Sequence, residues 1–181
     1  PLSGSNGGAF FGGAGNLIDL GMASDHYLSC ANGVNGGAAS AGTRALLFDD
    51  GGDDVYMAGL CDTGNSGEGN GGGGGGVGLL VDPAGNDYYY SARFGNGGGD
   101  AGGIGILADA TGNDRYHGGL INNGAGNHQD GLGIIGDTQG NDYYRADGDG
   151  ANYGAGNGAG LWAGQGVLID SAGRDRYVAG M

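Results

Sequence analysis

Two aspartates five residues apart recur along this chain, with a tyrosine two positions after the second. The pairs are Asp49 and Asp54, Asp82 and Asp87, Asp109 and Asp114, Asp137 and Asp142, and Asp170 and Asp175; the tyrosines are Tyr56, Tyr89, Tyr116, Tyr144 and Tyr177. A sixth pair, Asp19 and Asp25 ahead of Tyr27, carries one extra residue and Ala23 where the others have Gly. Paired carboxylates support three kinds of chemistry. They ligate hard cations such as Ca2+, which takes about six to eight oxygens; they do acid–base work on glycosidic bonds; or they cap the backbone N–H groups of a turn. Acid–base catalysis needs one differentiated centre. Here every Asp has five siblings in the same context, and Glu68, the only glutamate, has no visible partner. The expectation is a chain that is not an enzyme. His26, His117 and His128 share no register and lack metal-ligand spacing, so they read as surface positions.

The pairs belong to a longer phrase, aliphatic-x-Asp-x-x-Gly-x-Asp-x-Tyr, whose tyrosines lie 29, 33, 27, 28 and 33 residues apart. Ahead of each copy stands Asn-Gly followed by two small residues, at Asn6, Asn35, Asn70, Asn96, Asn123 and Asn157. A period of this size marks an array in which neighbours stack to share a core. Two positions before each first Asp sits a large aliphatic (Leu17, Leu47, Leu80, Leu107, Ile135, Leu168); four before sits Gly or Ala. Side chains alternate faces along a strand, so these uniform positions line an interior where each residue stacks on its own equivalent. The opposite row, including Val77, Leu79, Ile106, Ile134 and Ile169, is variable yet apolar, which predicts burial on both faces. The Asp-x-x-Gly-x-Asp stretch is a turn, with Gly and Asn supplying positive φ. The Asn-Gly arms form either a third β-strand or a polyproline-II strand. Nothing reads as helix. The fold expected is an all-β, glycine-rich parallel β-solenoid of six coils of about 27–33 residues, forming one domain over 1–181 with coils near 1–30, 31–60, 61–91, 92–118, 119–147 and 148–181.

Composition narrows the rest. Of 181 residues 51 are Gly, without the strict three-residue period of collagen. Six Arg, no Lys and 20 acidic residues give a net charge of −14, which repels phosphate backbones and excludes nucleic acid as a partner. No apolar run approaches the roughly 20 residues of a membrane span. The chain starts at Pro1 without a hydrophobic leader, so a signal peptide is expected to be already removed or outside this sequence.

The Gly-Asn-Asp-x-Tyr string, best seen at Asn86-Asp87, Asn113-Asp114 and Asn141-Asp142, resembles the RTX calcium β-roll repeat. The likeness covers five or six residues per repeat; the period differs, Tyr replaces the family's Leu and the leading Gly-Gly is missing. It implies turns that hold Ca2+ through Asp82, Asp87, Asp109, Asp114, Asp137, Asp142, Asp170 and Asp175. The alternative is that these Asp only cap turns, with no metal.

The residues between second Asp and Tyr run His26, Val55, Tyr88, Arg115, Tyr143, Arg176. This outward row is either a solvated ladder or a face for a glycan or another partner, which Trp162 would extend. Both ends of the sequence fall near coil boundaries and lack a cap, which predicts end-to-end stacking. The leading expectation is therefore a non-enzymatic extracellular structural protein that self-assembles into a fibre or surface layer; the alternative is a calcium-stabilised, RTX-like adhesin segment that binds glycans. Cys30 and Cys61 lie about one repeat apart, and stacked coils sit about 4.8 Å from each other, within the Cα separation a disulfide needs. A bridge between the first two coils is expected, against two buried thiols as the alternative. Thiol titration of unfolded, non-reduced protein should find no free cysteine; two free thiols would exclude the bridge.

Overall fold

The computed structural model describes residues 6–9, 11–29, 35–38, 40–59, 69–147 and 156–180. Cys30 and Cys61 lie outside the described residues, so the expected disulfide does too. Each coil contributes one strand to each of two parallel six-stranded sheets. The first sheet stacks β1 (Ala14–Ile18), β3 (Arg44–Phe48), β6 (Val77–Asp82), β9 (Ile104–Asp109), β11 (Leu132–Asp137) and β13 (Gln165–Asp170) in chain order. The second stacks β2 (His26–Leu28), β4 (Val55–Ala58), β7 (Tyr88–Arg93), β10 (Arg115–Leu120), β12 (Tyr143–Ala146) and β14 (Arg176–Ala179). The chain is a β-solenoid of about five turns, with no helix among the described residues.

The register follows the phrase. Leu47, Leu80, Leu107, Ile135 and Leu168 pair in succession through the first sheet, and the tyrosines pair through the second. From Leu47 to Ile135 and from Tyr56 to Tyr144 the side chains are fully buried and form one core. Two residue types fill nearly the whole interior.

The Asn-Gly arms make a thin third wall. It consists of the short pair β5 (Gly73–Gly74) and β8 (Gly99–Asp100) plus isolated parallel bridges such as Asn6 to Asn35 and Gly99 to Gly126. Of the two expected conformations, the β alternative holds at these positions. The arm closes each coil by two devices. Its first Gly takes a left-handed φ (64° at Gly36, 62° at Gly71, 70° at Gly97), which aims its carbonyl at the first sheet: Leu79, Ile106 and Ile134 donate backbone N–H bonds of 2.8 Å to Gly36, Gly71 and Gly97. The backbones then run so close that a Cβ on Gly78 or Gly105 would collide with the arm carbonyls of Gly72 and Gly98. This is why the position four before the first Asp is Gly in every coil but the second, where Ala45, the smallest side chain, stands. The arm asparagines form the second device, a buried ladder. Asn35 Nδ2 donates to Asn70 Oδ1 and Asn70 Nδ2 to Asn96 Oδ1, both at 2.9 Å, and their remaining amide protons reach the Tyr27 and Tyr56 carbonyls.

The outer row of the first sheet departs from expectation. Leu79, Ile106 and Ile134 are only half-buried, and Val77 and Ile169 are exposed. Neighbours along the row cover each other's flanks, and within the described residues no second layer lies over them.

Truncating the centre of the interior row tests the packing. Leu107→Ala should destabilise the solenoid by about 2–5 kcal/mol in urea melts, because a Leu stacked between two others leaves a void that flanking strands cannot close. A loss below about 1 kcal/mol would mean that this row is not the core.

Candidate metal centre

The Asp pairs sit where the first sheet turns into the second. In the third coil β6 ends on Asp82, β7 begins at Tyr88, and Gly85, Asn86 and Asp87 make the corner. Gly85, Gly112 and Gly140 do not adopt positive φ, contrary to the expectation from their sequence. Their requirement is space: a Cβ on any of them would strike the corresponding glycine carbonyl of the preceding coil (Gly52, Gly85 and Gly112) and the carboxylate of their own turn. The Asn between Gly and Asp likewise serves stacking rather than φ. Asn113 donates its backbone N–H and its Nδ2 to Asn86 Oδ1, both at 3.0 Å, and Asn141 repeats this on Asn113 at 3.1 and 3.0 Å. Coil therefore locks onto coil at the outer rim of the turn.

Inside the turn, Asp49 and Asp82 have both oxygens satisfied, their Oδ1 accepting from the Gly51 and Ala84 N–H at 3.2 Å, and Asp54, Asp87, Asp109, Asp114, Asp137 and Asp142 have one. The tyrosine rings stack with centroids 4.7–5.0 Å apart and planes within 7°. Their hydroxyls point at the first Asp of each pair: Tyr56 donates to Asp82 Oδ2 at 2.8 Å, Tyr89 to Asp109 Oδ2 at 2.7 Å and Tyr116 to Asp137 Oδ2 at 2.8 Å. The second Asp uses Oδ1 to accept from the backbone of the coil before. Asp54 N–H donates to Asp87 Oδ1 at 2.6 Å, Asp87 N–H to Asp114 Oδ1 at 2.7 Å and Asp114 N–H to Asp142 Oδ1 at 2.8 Å.

The other oxygens are left over. Oδ2 of Asp54, Asp87, Asp114 and Asp142, and Oδ1 of Asp109, Asp137 and Asp170, are buried without a hydrogen-bond partner. Such groups are normally satisfied, since an orphaned buried acceptor costs about 1–3 kcal/mol and more when charged. They converge. The second Asp of one coil and both Asp of the next bring carboxylate oxygens within 4.8 Å of one another in five successive triads: Asp25, Asp49 and Asp54; Asp54, Asp82 and Asp87; Asp87, Asp109 and Asp114; Asp114, Asp137 and Asp142; Asp142, Asp170 and Asp175. Oxygens bound to one Ca2+ at about 2.3–2.6 Å lie no more than about 5 Å apart, so each triad fits within a single coordination shell. All-oxygen and anionic, this donor set suits a hard cation.

Burial sets the electrostatics. It raises Asp54 to about 6 and Asp142 to about 7, and raises Asp82, Asp87, Asp109, Asp114 and Asp137 as well, with neighbouring carboxylates adding to the effect. The tyrosine hydroxyls rise far above their ordinary value for the same reasons, burial first and the adjacent Asp next, and stay protonated donors.

All eight aspartates expected as ligands fall into these triads. Asp25, Asp49 and Asp54 join them although the sequence reading stopped at Asp82; the preserved frame from Asp49 to Tyr56 was the signal. Tyr88, Arg115, Tyr143 and Arg176 do share an outward row of the second sheet, with the Arg176 guanidinium 5.5 Å from the Tyr143 ring centre. Trp162 is placed elsewhere, its ring 4.3 Å from His128 at the corner leading into β13. Sequence reasoning missed the next outward row, in which Tyr90 meets His117 edge-on and His117 Nε2 lies 2.9 Å from Asp147 Oδ2. No helix among the described residues is long and apolar enough to cross a membrane. No family model, curated protein or solved structure matches the chain.

The raised carboxyls fix the sign of a pH dependence. A folded-state pKa above the unfolded value of about 4 means the native state binds protons more tightly, so its contribution is full below pH 4 and is lost as pH rises through the folded values. In EDTA, thermal stability should therefore fall between about pH 5 and pH 8, through the values near 6 and 7 at Asp54 and Asp142. Chelated protein whose stability climbs across that interval would show that the triads are not raised.

Proposed function

We propose that this chain is a non-enzymatic structural solenoid whose coils are bonded to one another by a column of divalent cations, Ca2+ first among them. One observation carries the reading: the five Asp triads each bridge two coils, and most of their carboxylates present a buried oxygen that no donor among the described residues satisfies. The chain's own donors reach both oxygens of Asp49 and Asp82 but only one oxygen of Asp54, Asp87, Asp109, Asp114, Asp137 and Asp142. A cation between coils supplies the missing partner and cancels the repulsion. The repetition of the site supports a structural role over catalysis, since five triads of the same composition recur among the described residues. Dependence on calcium suits an extracellular setting, where modules with sites of about 10⁻⁴ to 10⁻³ M affinity operate.

A second reading, assembly by coil-on-coil stacking into a fibre or surface layer, is favoured by the equivalence of the coils. Five successive coil-to-coil contacts repeat the same tyrosine stack and the same Asp triad without closing on themselves, the geometry of a contact that propagates.

Melting at pH 8 with excess calcium, and with EDTA, tests the first reading. A site bound at one hundred times its Kd contributes about 2.7 kcal/mol, so several sites should raise the transition well beyond any change seen with Na+. Asp114→Asn keeps an oxygen for the Asp87 N–H and removes the orphaned anion, so it should melt higher than the parent in EDTA and gain less from calcium. An identical parental transition in calcium and EDTA overturns the proposal. Electron microscopy of the same samples tests assembly: filaments are expected, and monodisperse single particles at high concentration would exclude it.

A further inference from the structure

Basic side chains are scarce here, and they are not scattered. Four of the six arginines, Arg93, Arg115, Arg145 and Arg176, lie on strands of the second sheet, in a chain of net charge −14. Arg115 and Arg176 alternate with Tyr88 and Tyr143 along one outward row, pairing strand by strand from Tyr88 to Arg115, Tyr143 and Arg176. The row beside it carries Tyr90, His117 and Arg145. Two open clefts of about 530 and 460 Å³ flank His117, one along the Tyr88–Arg176 row and one between Tyr90 and Arg93. Among the described residues only Asp147 opposes this positive charge by ion pairing: it takes Arg145 Nε at 2.8 Å and His117 Nε2 at 2.9 Å. Among the described residues no carboxylate pairs with Arg93, Arg115 or Arg176, and Arg93 Nε is buried without a partner.

From this geometry we infer that the outer face of the second sheet binds an acidic polysaccharide, its sugar rings lying on the tyrosines and its carboxylate or sulfate groups on the arginines. Guanidinium groups pair with planar oxyanions through two parallel N–H bonds, and Tyr offers a rigid apolar face with a polar tip. The spacing favours a glycan over an acidic peptide. The coils repeat every 4.7–5.0 Å, close to the advance of one ring in a linear polysaccharide, whereas an extended peptide advances about 3.3–3.4 Å per residue and falls out of step. On an otherwise acidic chain this face gathers four of the six arginines, so its charge sign favours an anion. The inference does not depend on cations between the coils.

Binding should be measured by calorimetry at saturating calcium and low salt, so that coil stability is held constant, with the full chain against oligogalacturonate, heparin oligosaccharides, neutral cello-oligosaccharides and polyglutamate. The acidic glycans should bind at least tenfold more tightly than both the neutral oligosaccharide and polyglutamate, and the better of oligogalacturonate and heparin assigns carboxylate or sulfate as the anionic group. The double variant Arg115→Gln with Arg176→Gln should lose at least tenfold of that affinity, while Arg44→Gln on the opposite sheet should leave it unchanged. Both Gln replacements are at exposed positions, and an unaltered near-ultraviolet circular dichroism spectrum confirms folding. Equal affinity for polyglutamate would assign the face to an acidic protein segment, and equal affinity for the neutral glycan, or no effect of the double variant, would equally overturn the inference.

Discussion

Carboxylates stacked at coil spacing are the constraint from which the rest of this structure follows. Two unit charges about 5 Å apart at an effective dielectric of about 20 repel by about 3 kcal/mol. Two ladders of them would outweigh the roughly 5–15 kcal/mol by which a domain is normally stable. The chain answers with donors placed to order. The tyrosine hydroxyl takes one oxygen of the first Asp, and the backbone N–H of the neighbouring second Asp takes one oxygen of the next. These two needs fix the phrase: Tyr must follow at a set distance so that its ring stacks and its hydroxyl reaches the corner, and Gly must stand in the turn so that successive corners nest. The remaining oxygens are what a cation or a proton has to satisfy.

Glycine makes this possible at a cost that the ladders recover. With 51 glycines the chain loses much backbone entropy on folding, and its core is only one aliphatic and one aromatic residue deep per coil. In return, arm and strand backbones touch directly, and almost every polar group finds a copy of itself one coil away. Contacts reach only adjacent coils, so stability accumulates coil by coil. The polar ladders, more than the thin core, keep neighbouring coils in register, because a slip of one residue would unpair the Asn, Asp and Tyr rows together.

Much of this was legible in the sequence because stacking forces equivalence. Leu80, Leu107 and Ile135 could be placed in one row, and Asp82, Asp109 and Asp137 in another, from period and alternation alone. The sequence was less informative where a residue's reason is a neighbour rather than its own backbone. Gly112 and Asn113 carry turn chemistry in their identities, yet their φ is ordinary and their role is to meet Gly85 and Asn86 of the coil before. The arm asparagines announced themselves by recurrence but gave no hint of a buried amide ladder. The convergence of Asp54 with Asp82 and Asp87 crosses coils, so no single repeat displays it. Trp162 could not be positioned because the corner it occupies, matched in backbone by Phe11–Gly12 and Ala101–Gly102, carries no common residue type by which sequence could mark it.

The arm ladder also bears on how the molecule ages. Asn-Gly is the dipeptide most prone to deamidation, in which the glycine nitrogen attacks the side-chain amide carbon and the ring opens to a carboxylate. This chain repeats it in every arm. In the ladder that attack is blocked at both partners: the amide of Asn35 is held by Asn70 and Tyr27, and the nitrogen of Gly36 donates to the Asn6 carbonyl at 2.8 Å. The same restraint covers Asn70 and Asn96. Asn157 is held in the same way, its Oδ1 accepting from Asn123 Nδ2 at 3.0 Å and the Gly158 N–H donating to the Asn123 carbonyl at 2.9 Å, but like Asn6 it is only half-buried. Chemical wear should enter at the half-buried rungs, Asn6 and Asn157, before it reaches the buried amides between them, and each event would set a new negative charge into a neutral ladder.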